Sequence, residues 1–349
     1  MISRAVAAAL CGAVLLAVPA AAQQPAEPSH EELVKRAKEE GRVTWYVSIP
    51  AVGSQAVADA FMKKYPEIKV DVQRLGGFGL WERLSSEFSA GVHNADVYSQ
   101  ADYGVRLDAA KRGIIAKYNP PSAAKYPANL VDPEGYGFST RIVATAIAYN
   151  TDLVAPEDAP KSWSDLLDPK WADKKIGTGD PRASGFSSAA YQQMAAAPDI
   201  GKPFFEKLAA QKPVLFEDSG QQINALVIGE YPIVVLLDYR PWEFMEKGAP
   251  VKVVYPADGV GWGSDYTHLV AKAPHPNAAK LLMDFYASAE AAELVAKNLR
   301  TYVAVPGIPA YPEGYGRPSL AELKMLPSNP PQEAANSDAF NEWWASTFK

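Results

Sequence analysis

Cysteine is all but missing from this sequence: one stands in 349 residues, Cys11, inside an apolar leader. Arg4 precedes an uncharged apolar run from Ala5 to Val18 and the small residues Ala20, Ala21 and Ala22, the pattern of a secretory signal peptide cut after Ala22. That run is shorter than the roughly 20 residues a membrane-spanning helix needs. Leu10, directly before Cys11, is not the small residue a lipid-anchored cysteine requires. Removing 22 of the 349 residues leaves 327 with no thiol, which excludes disulfide, thiolate-metal and thiol redox chemistry from the mature chain. The periplasm of a Gram-negative cell is the expected compartment. Basic runs are absent too, and the formal net charge is −6. Nucleic acid and anionic membranes are poor partners for such a surface.

Histidine is scarce, with His30, His93, His268 and His275 at no recognised metal-ligand spacing, so they read as structural or surface residues. Neither a GxSxG elbow nor an HExxH helix occurs, and "GGFGLWE" lacks the third glycine of a dinucleotide fingerprint. A secreted hydrolase survives only as a triad assembled in space. No metal, cofactor or catalytic residue is assigned. Short-period repeats and low-complexity tracts are also lacking, which disfavours solenoids and disordered linkers.

What is present is an alternation of strand and helix signals. Ser29 with Glu32 forms a capping box ahead of "EELVKRAKEEG"; "RVTWYVS" (42 to 48) reads as a strand, "QAVADAFMKKYP" as a helix and "IKVDVQ" (68 to 73) as a second strand. "LWERLSSEF" is a helix and "ADVYS" (95 to 99) a third strand. "IVATAIAY" (142 to 149) is a continuous apolar run, as in a strand buried on both faces. A second set follows: "KIGT" (175 to 178), helix "QQINALVIGE", strand "IVVLLDY" (233 to 239) and strand "VKVVYP" (251 to 256). The chain is too long for one core, so two α/β lobes are expected.

The stretch "GTGDPRASGFSSAA" (177 to 190) runs from a strand's carboxyl end into a helix. Such a turn presents open backbone N–H groups and the positive end of the helix dipole, suited to an anion or a polar oxygen. Arg182, Ser184, Gly185, Ser187 and Ser188 are its candidate contacts, and the alternative is that the serines only cap the helix. "SIPAVGS" repeats the arrangement in the first lobe, with Ser48 and Ser54. "DYRPW" places Asp238, Tyr239 and Arg240 after an apolar strand, where an open α/β sheet faces its ligand crevice; ion pairing within the lobe is the alternative for the two charges.

These segments together resemble the periplasmic solute-binding proteins of ABC importers, in the branch that includes ferric-ion, phosphonate and organophosphate binders. "RVTWYVS…AVADAFMKKYPEIKVDVQR", "IAYNTDLV…PKSWSDLLDPKW" and "APHPNAAKLLMDFYASAEAAELVAKN" with "RTYVAVPGI" carry the likeness over nearly the whole mature chain. The resemblance implies a type II binding fold, α/β, with two lobes joined by crossing strands and closing on one solute. Lobe 1 is expected over 23–141, lobe 2 over 142–265, a return over 266–310 and a helical segment over 311–349. The family pattern places ligand contacts on Ser48, Ser54, Ser184, Gly185 and Tyr239, with Trp262 and Ser264 near the recrossing. Ferric binders of this branch pair two tyrosines where this chain has Asp238 and Tyr239. The loss of one phenolate turns the expectation toward a small anion: a phosphonate, a phosphate ester or an organic or aromatic carboxylate. A ferric-ion carrier is the alternative. The implied partner is an inner-membrane permease, and the chain is expected to be a monomer.

Overall fold

The computed structural model describes residues 28–349; the expected signal peptide lies outside them. Helix α1 (His30–Glu40) shows how closely local sequence sets local structure. Ser29 Oγ accepts the N–H of Glu32 at 3.2 Å, and Gly41 ends the helix with φ 68°, in the left-handed region that glycine favours. Only half of the expected capping box forms, because the Glu32 carboxylate turns to Arg36 instead.

Lobe 1 then alternates β1 (Arg42–Val47), α2 (Ala51–Lys64), β2 (Lys69–Arg74), α3 (Gly77–Ser89), β3 (Val97–Gln100), α4 (Tyr103–Lys111) and the short β4 (Ile115–Ala116). The 13-residue β5 (Phe138–Asn150) follows, buried along its whole length. Lobe 2 holds β6 (Ile176–Gly179), α5 (Gly185–Ala196), α6 (Gly201–Ala210), β7 (Val214–Phe216), α7 (Ser219–Val227), β8 (Ile233–Leu237), α8 (Tyr239–Glu246) and β9 (Val251–Val254). The chain recrosses in β10 (Trp262–Val270) and continues through α9 (Pro276–Tyr286), α10 (Ala289–Leu299), β11 (Tyr302–Val303) and α11 (Pro330–Thr347).

In lobe 1, β1 pairs in parallel with β2 and β3; in lobe 2, β6 pairs in parallel with β7 and β8. One long strand joins these sheets, and the chain returns to lobe 1 just ahead of β10. β5 pairs with β10 up to Ala144 and with β8 from Thr145 onward, so the passage between sheets falls inside the strand, later than the 141/142 boundary read from sequence. β10 pairs with both β5 and β3. Each lobe has its own core. Trp45, Phe61 and Phe285 pack between the lobe 1 sheet and the returning helices, whereas Trp163, Phe205 and Trp344 centre lobe 2. Trp344 belongs to α11, which lies against α4 of lobe 1 and against α5 and α6 of lobe 2.

The "DYRPW" segment departs from its expected form. β8 stops at Leu237, and Asp238 opens α8, so Tyr239 and Arg240 stand in a helical first turn rather than at a strand tip.

Candidate functional site

Parallel strands end on one side of their sheet, and here both sheets aim those ends at the gap between the lobes. Ser48 follows β1, Arg74 ends β2 and Gln100 ends β3; facing them stand Gly179 at the end of β6, Phe216 at the end of β7 and Leu237 at the end of β8. All six line one cleft with a cavity volume of ≈ 230 Å³, room for a small solute rather than a polymer.

Helix starts complete the wall. α4 and α7 begin with aspartates whose carboxylates cap them: Asp102 Oδ1 accepts Gly104 N–H at 2.8 Å, and Asp218 Oδ1 accepts Gly220 N–H at 2.8 Å. α3 and α5 begin differently. α3 starts from Gly76 with no side-chain cap, and at α5 the Ser184 hydroxyl reaches only Ser187 N–H, at 3.4 Å. The first N–H groups of these two helices, at Gly77 and Phe78 and at Gly185 and Phe186, are left open toward the cleft. The lobes approach closely here: a Cβ on Gly185 would lie 3.4 Å from the backbone of Ala101 and Asp102.

The charges divide into spent and available. Burial works against the ionised form of Asp180, but the side chain and backbone N–H of Arg182 outweigh it and hold the carboxyl below its usual range. Asp102 and Asp218 each keep a second carboxylate oxygen beyond their capping bond, and Glu217 stands on the same rim. Arg74 is the cation that lines the cleft.

Five of the residues expected from sequence meet on this wall: Ser48, Ser184, Gly185, Ser187 and Tyr239. The other seven lie elsewhere, Ser188 and Ser264 on the same neighbouring pocket as Trp262. Ser54 is 1% exposed within α2, its hydroxyl directed at the Pro50 and Ala51 carbonyls, because the helix has already begun at Ala51. Arg182 folds back on Asp180. Asp238 is fully buried, receiving Arg317 at 2.5 Å, the Tyr255 hydroxyl at 2.8 Å and Ala144 N–H at 3.2 Å, so the ion-pair alternative describes it, with a partner from the C-terminal segment. Arg240 donates to Ser219 Oγ and lies over the Tyr239 ring, bracing the wall from behind. Trp262 donates its indole N–H to Leu326 and borders a separate pocket beneath α5 and α11.

Sequence reading missed Arg74, Gln100, Asp102, Phe186, Phe216, Asp218 and Gln222. The signal was there for several of them. "GGFG" after β2 is a strand-to-helix turn of the kind recognised at 177 to 190, and "ADYG" and "EDSG" each place an N-cap aspartate just past a strand. The histidines sit away from this wall: His268 is fully buried with Nδ1 2.6 Å from the Tyr136 carbonyl, and His275 bonds to Asp96.

Comparison with known proteins agrees with this fold. The family described as bacterial extracellular solute-binding protein matches residues 94–315. A probable ABC transporter periplasmic-binding protein of Sinorhizobium fredii is 24% identical over 313 residues, covering 86% of this chain and 84% of its own. The fold is shared with the periplasmic binding protein AfuA of Actinobacillus pleuropneumoniae, solved with exogenous fructose-6-phosphate bound (TM-score 0.75, 21% identity, 88% of this chain and 98% of that one). It is shared also with iron-bound HitA of Pseudomonas aeruginosa (TM-score 0.71, 22% identity, 87% and 99%). The family consists of binding proteins, not enzymes, which removes the hydrolase reading. The chain belongs to the bacterial extracellular solute-binding proteins and has their α/β two-lobed fold, that of the substrate-binding component of an ABC importer.

Proposed function

We propose that the cleft captures a small anionic solute, a phosphonate, phosphate ester or organic carboxylate, and carries it through the periplasm to the membrane permease. One observation carries this reading: two helix starts, the uncapped α3 from lobe 1 and α5 from lobe 2, whose Ser184 cap takes only the Ser187 N–H, bring their first N–H groups to the same cleft beside Arg74. Helix N-termini favour negative charge, and a solute touching both would draw the lobes together. The carboxylates of Asp102, Glu217 and Asp218 would repel a bare anion but accept hydrogen bonds from its hydroxyl or ammonium groups. The favoured solute therefore carries donors as well as charge. AfuA, with its bound sugar phosphate, is a relative of matching chemistry.

The ferric reading rests on HitA and on those same carboxylates. Against it, Tyr239 is the one tyrosine lining the cleft, and the Asp238 carboxylate is committed to Arg317. Among the described residues no three His, Cys, Asp or Glu side chains converge as a metal cage. Melting curves with phosphonates, sugar phosphates, hydroxy acids and ferric citrate test both readings. Binding stabilises by RT ln(1 + [L]/Kd). Stabilisation by anions without iron supports the proposal; stoichiometric iron resisting mild chelation, with no response to the anions, overturns it.

A further inference from the structure

Arg141 is a guanidinium 3% exposed near the start of the crossing strand β5; unlike the buried Arg106 and Arg317, each with two or more acceptors, it has a single one. Its Nε donates to Asp265 Oδ1 on β10 at 3.1 Å. That is its one protein hydrogen bond among the described residues, which leaves Nη1 and Nη2 without a protein acceptor although the group carries five N–H donors. Asp265 Oδ2 is likewise buried and unpartnered. Unmade hydrogen bonds on buried charges are costly, so each calls for an occupant such as an ordered water or a bound solute.

Position says what. Alternate residues of a strand share a face, so Arg141 lies on the side of Val143, which packs with Leu237 and Tyr239, and Phe186 rests against them. Leu237, Tyr239 and Phe186 all line the cleft. The guanidinium sits 4.9 Å over the Phe186 ring. Burial opposes its ionised form, and the Asp265 carboxylate on β10 beside it holds the guanidinium charged.

We propose that Arg141 and Asp265, which lie one layer beneath the lining residues Phe186 and Tyr239 rather than on the cleft surface, form the floor of the solute site when a solute is bound, the free Nη groups taking an anionic oxygen of the solute and Asp265 Oδ2 taking a hydroxyl of the same molecule. The proposal rests on the anion reading above and narrows it to hydroxylated anions. A planar guanidinium held on one side by a carboxylate still presents a donor fork on the other, and the phosphate or carboxylate of the solute fits that fork.

The test is calorimetric titration with fructose 6-phosphate and with methyl phosphate, which has the same anion and no free hydroxyls. The proteins are wild type, Arg141→Lys, Asp265→Asn and the charge-neutral pair Arg141→Gln/Asp265→Asn, each with its unliganded melting curve. The double variant removes both charges together, so no lone charge is left buried should a single variant fail to fold. Expected are tighter binding of fructose 6-phosphate than of methyl phosphate by wild type, a loss of at least tenfold in the double variant, partial retention in Arg141→Lys and a narrowed gap between the probes in Asp265→Asn. A folded double variant that binds fructose 6-phosphate like wild type makes the pair a buried-water site and overturns this inference alone. Equal wild-type affinity for the two probes overturns the hydroxyl assignment. A wild type that binds neither overturns the inference together with the anion reading.

Discussion

Ser184 caps α5 and, on the proposed function, serves the solute through the same hydroxyl. Its oxygen accepts Ser187 N–H at a long 3.4 Å, which leaves its own hydrogen free for a solute in the cleft. Ser184→Ala should lower stability by about 1 kcal/mol through loss of the cap and weaken solute binding by roughly tenfold through loss of one hydrogen bond to a charged group. Titration beside an unliganded melting curve separates the two effects; unchanged affinity would reduce the residue to a cap. At Gly185 the substitution to Val should damage binding more than folding. The backbone there is not in the left-handed region, but the added methyls meet Ala101 and Asp102 across the cleft and hold the lobes apart. His268 makes a different claim, about pH. Burial pushes its imidazole down from 6.5 to about 4, against the Tyr136 carbonyl, which favours the charged ring. Between those values the unfolded chain binds the extra proton, so its contribution is complete above pH 6.5 and is lost as pH falls, to about 3 kcal/mol by pH 4. Urea midpoints of wild type and His268→Gln, compared from pH 7 to pH 4.5, should converge toward the acid end. A constant difference would contradict the assignment.

Elements were legible where their signals are local. "RVTWYVS", "IKVDVQ" and "IVATAIAY" became β1, β2 and β5 because alternation and apolar runs report burial directly, and the Ser29 and Gly41 stops of α1 are written in single residues. The site was half legible for the same reason. Ser184 and Gly185 follow from a strand-to-helix turn, but the fate of Asp238 depends on Arg317, 79 residues further along, and no local pattern announces that partner. The join of α5 to β10 is equally nonlocal. A Cβ at Gly261 would stand 2.6 Å from the Ala190 carbonyl and one at Gly263 2.9 Å from the Phe186 ring, so these glycines let the solute-facing helix lie directly on β10. Gly261→Ala should cost about 1 to 3 kcal/mol, since the obstacle is backbone and cannot swing aside. Thermal melting checks it, and a variant as stable as wild type would mean that α5 can lift from β10 without penalty.

At the scale of the whole molecule the question is what keeps the lobes from drifting apart while leaving them free to close. β5 passes from one sheet to the other, the chain returns through the segment just ahead of β10, and on another face α11 touches α4 of lobe 1 as well as α5 and α6 of lobe 2. Any opening must bend β5 and the return segment ahead of β10 and move α11 relative to α4. The anchor of that helix is in lobe 2: Trp344 is fully buried against Tyr191 and Phe205, and Glu333 accepts from Gln193, whereas the α4 side of the contact is made by smaller groups such as Ala334 near Gly104. Opening is therefore expected to part α11 from α4 while it stays with α5. Trp344→Ala, at about 3 to 5 kcal/mol for a large core aromatic, should loosen that anchor and widen the range of lobe separations. Small-angle scattering on wild type and variant, with and without a solute that raises the melting temperature, reads the outcome. Wild type should contract on binding, and the variant, where still folded, should begin from a larger radius and contract further. Identical radii for the two unliganded proteins would show that β5 and the return segment alone set the separation and that α11 is only a lid on the lobe 2 core.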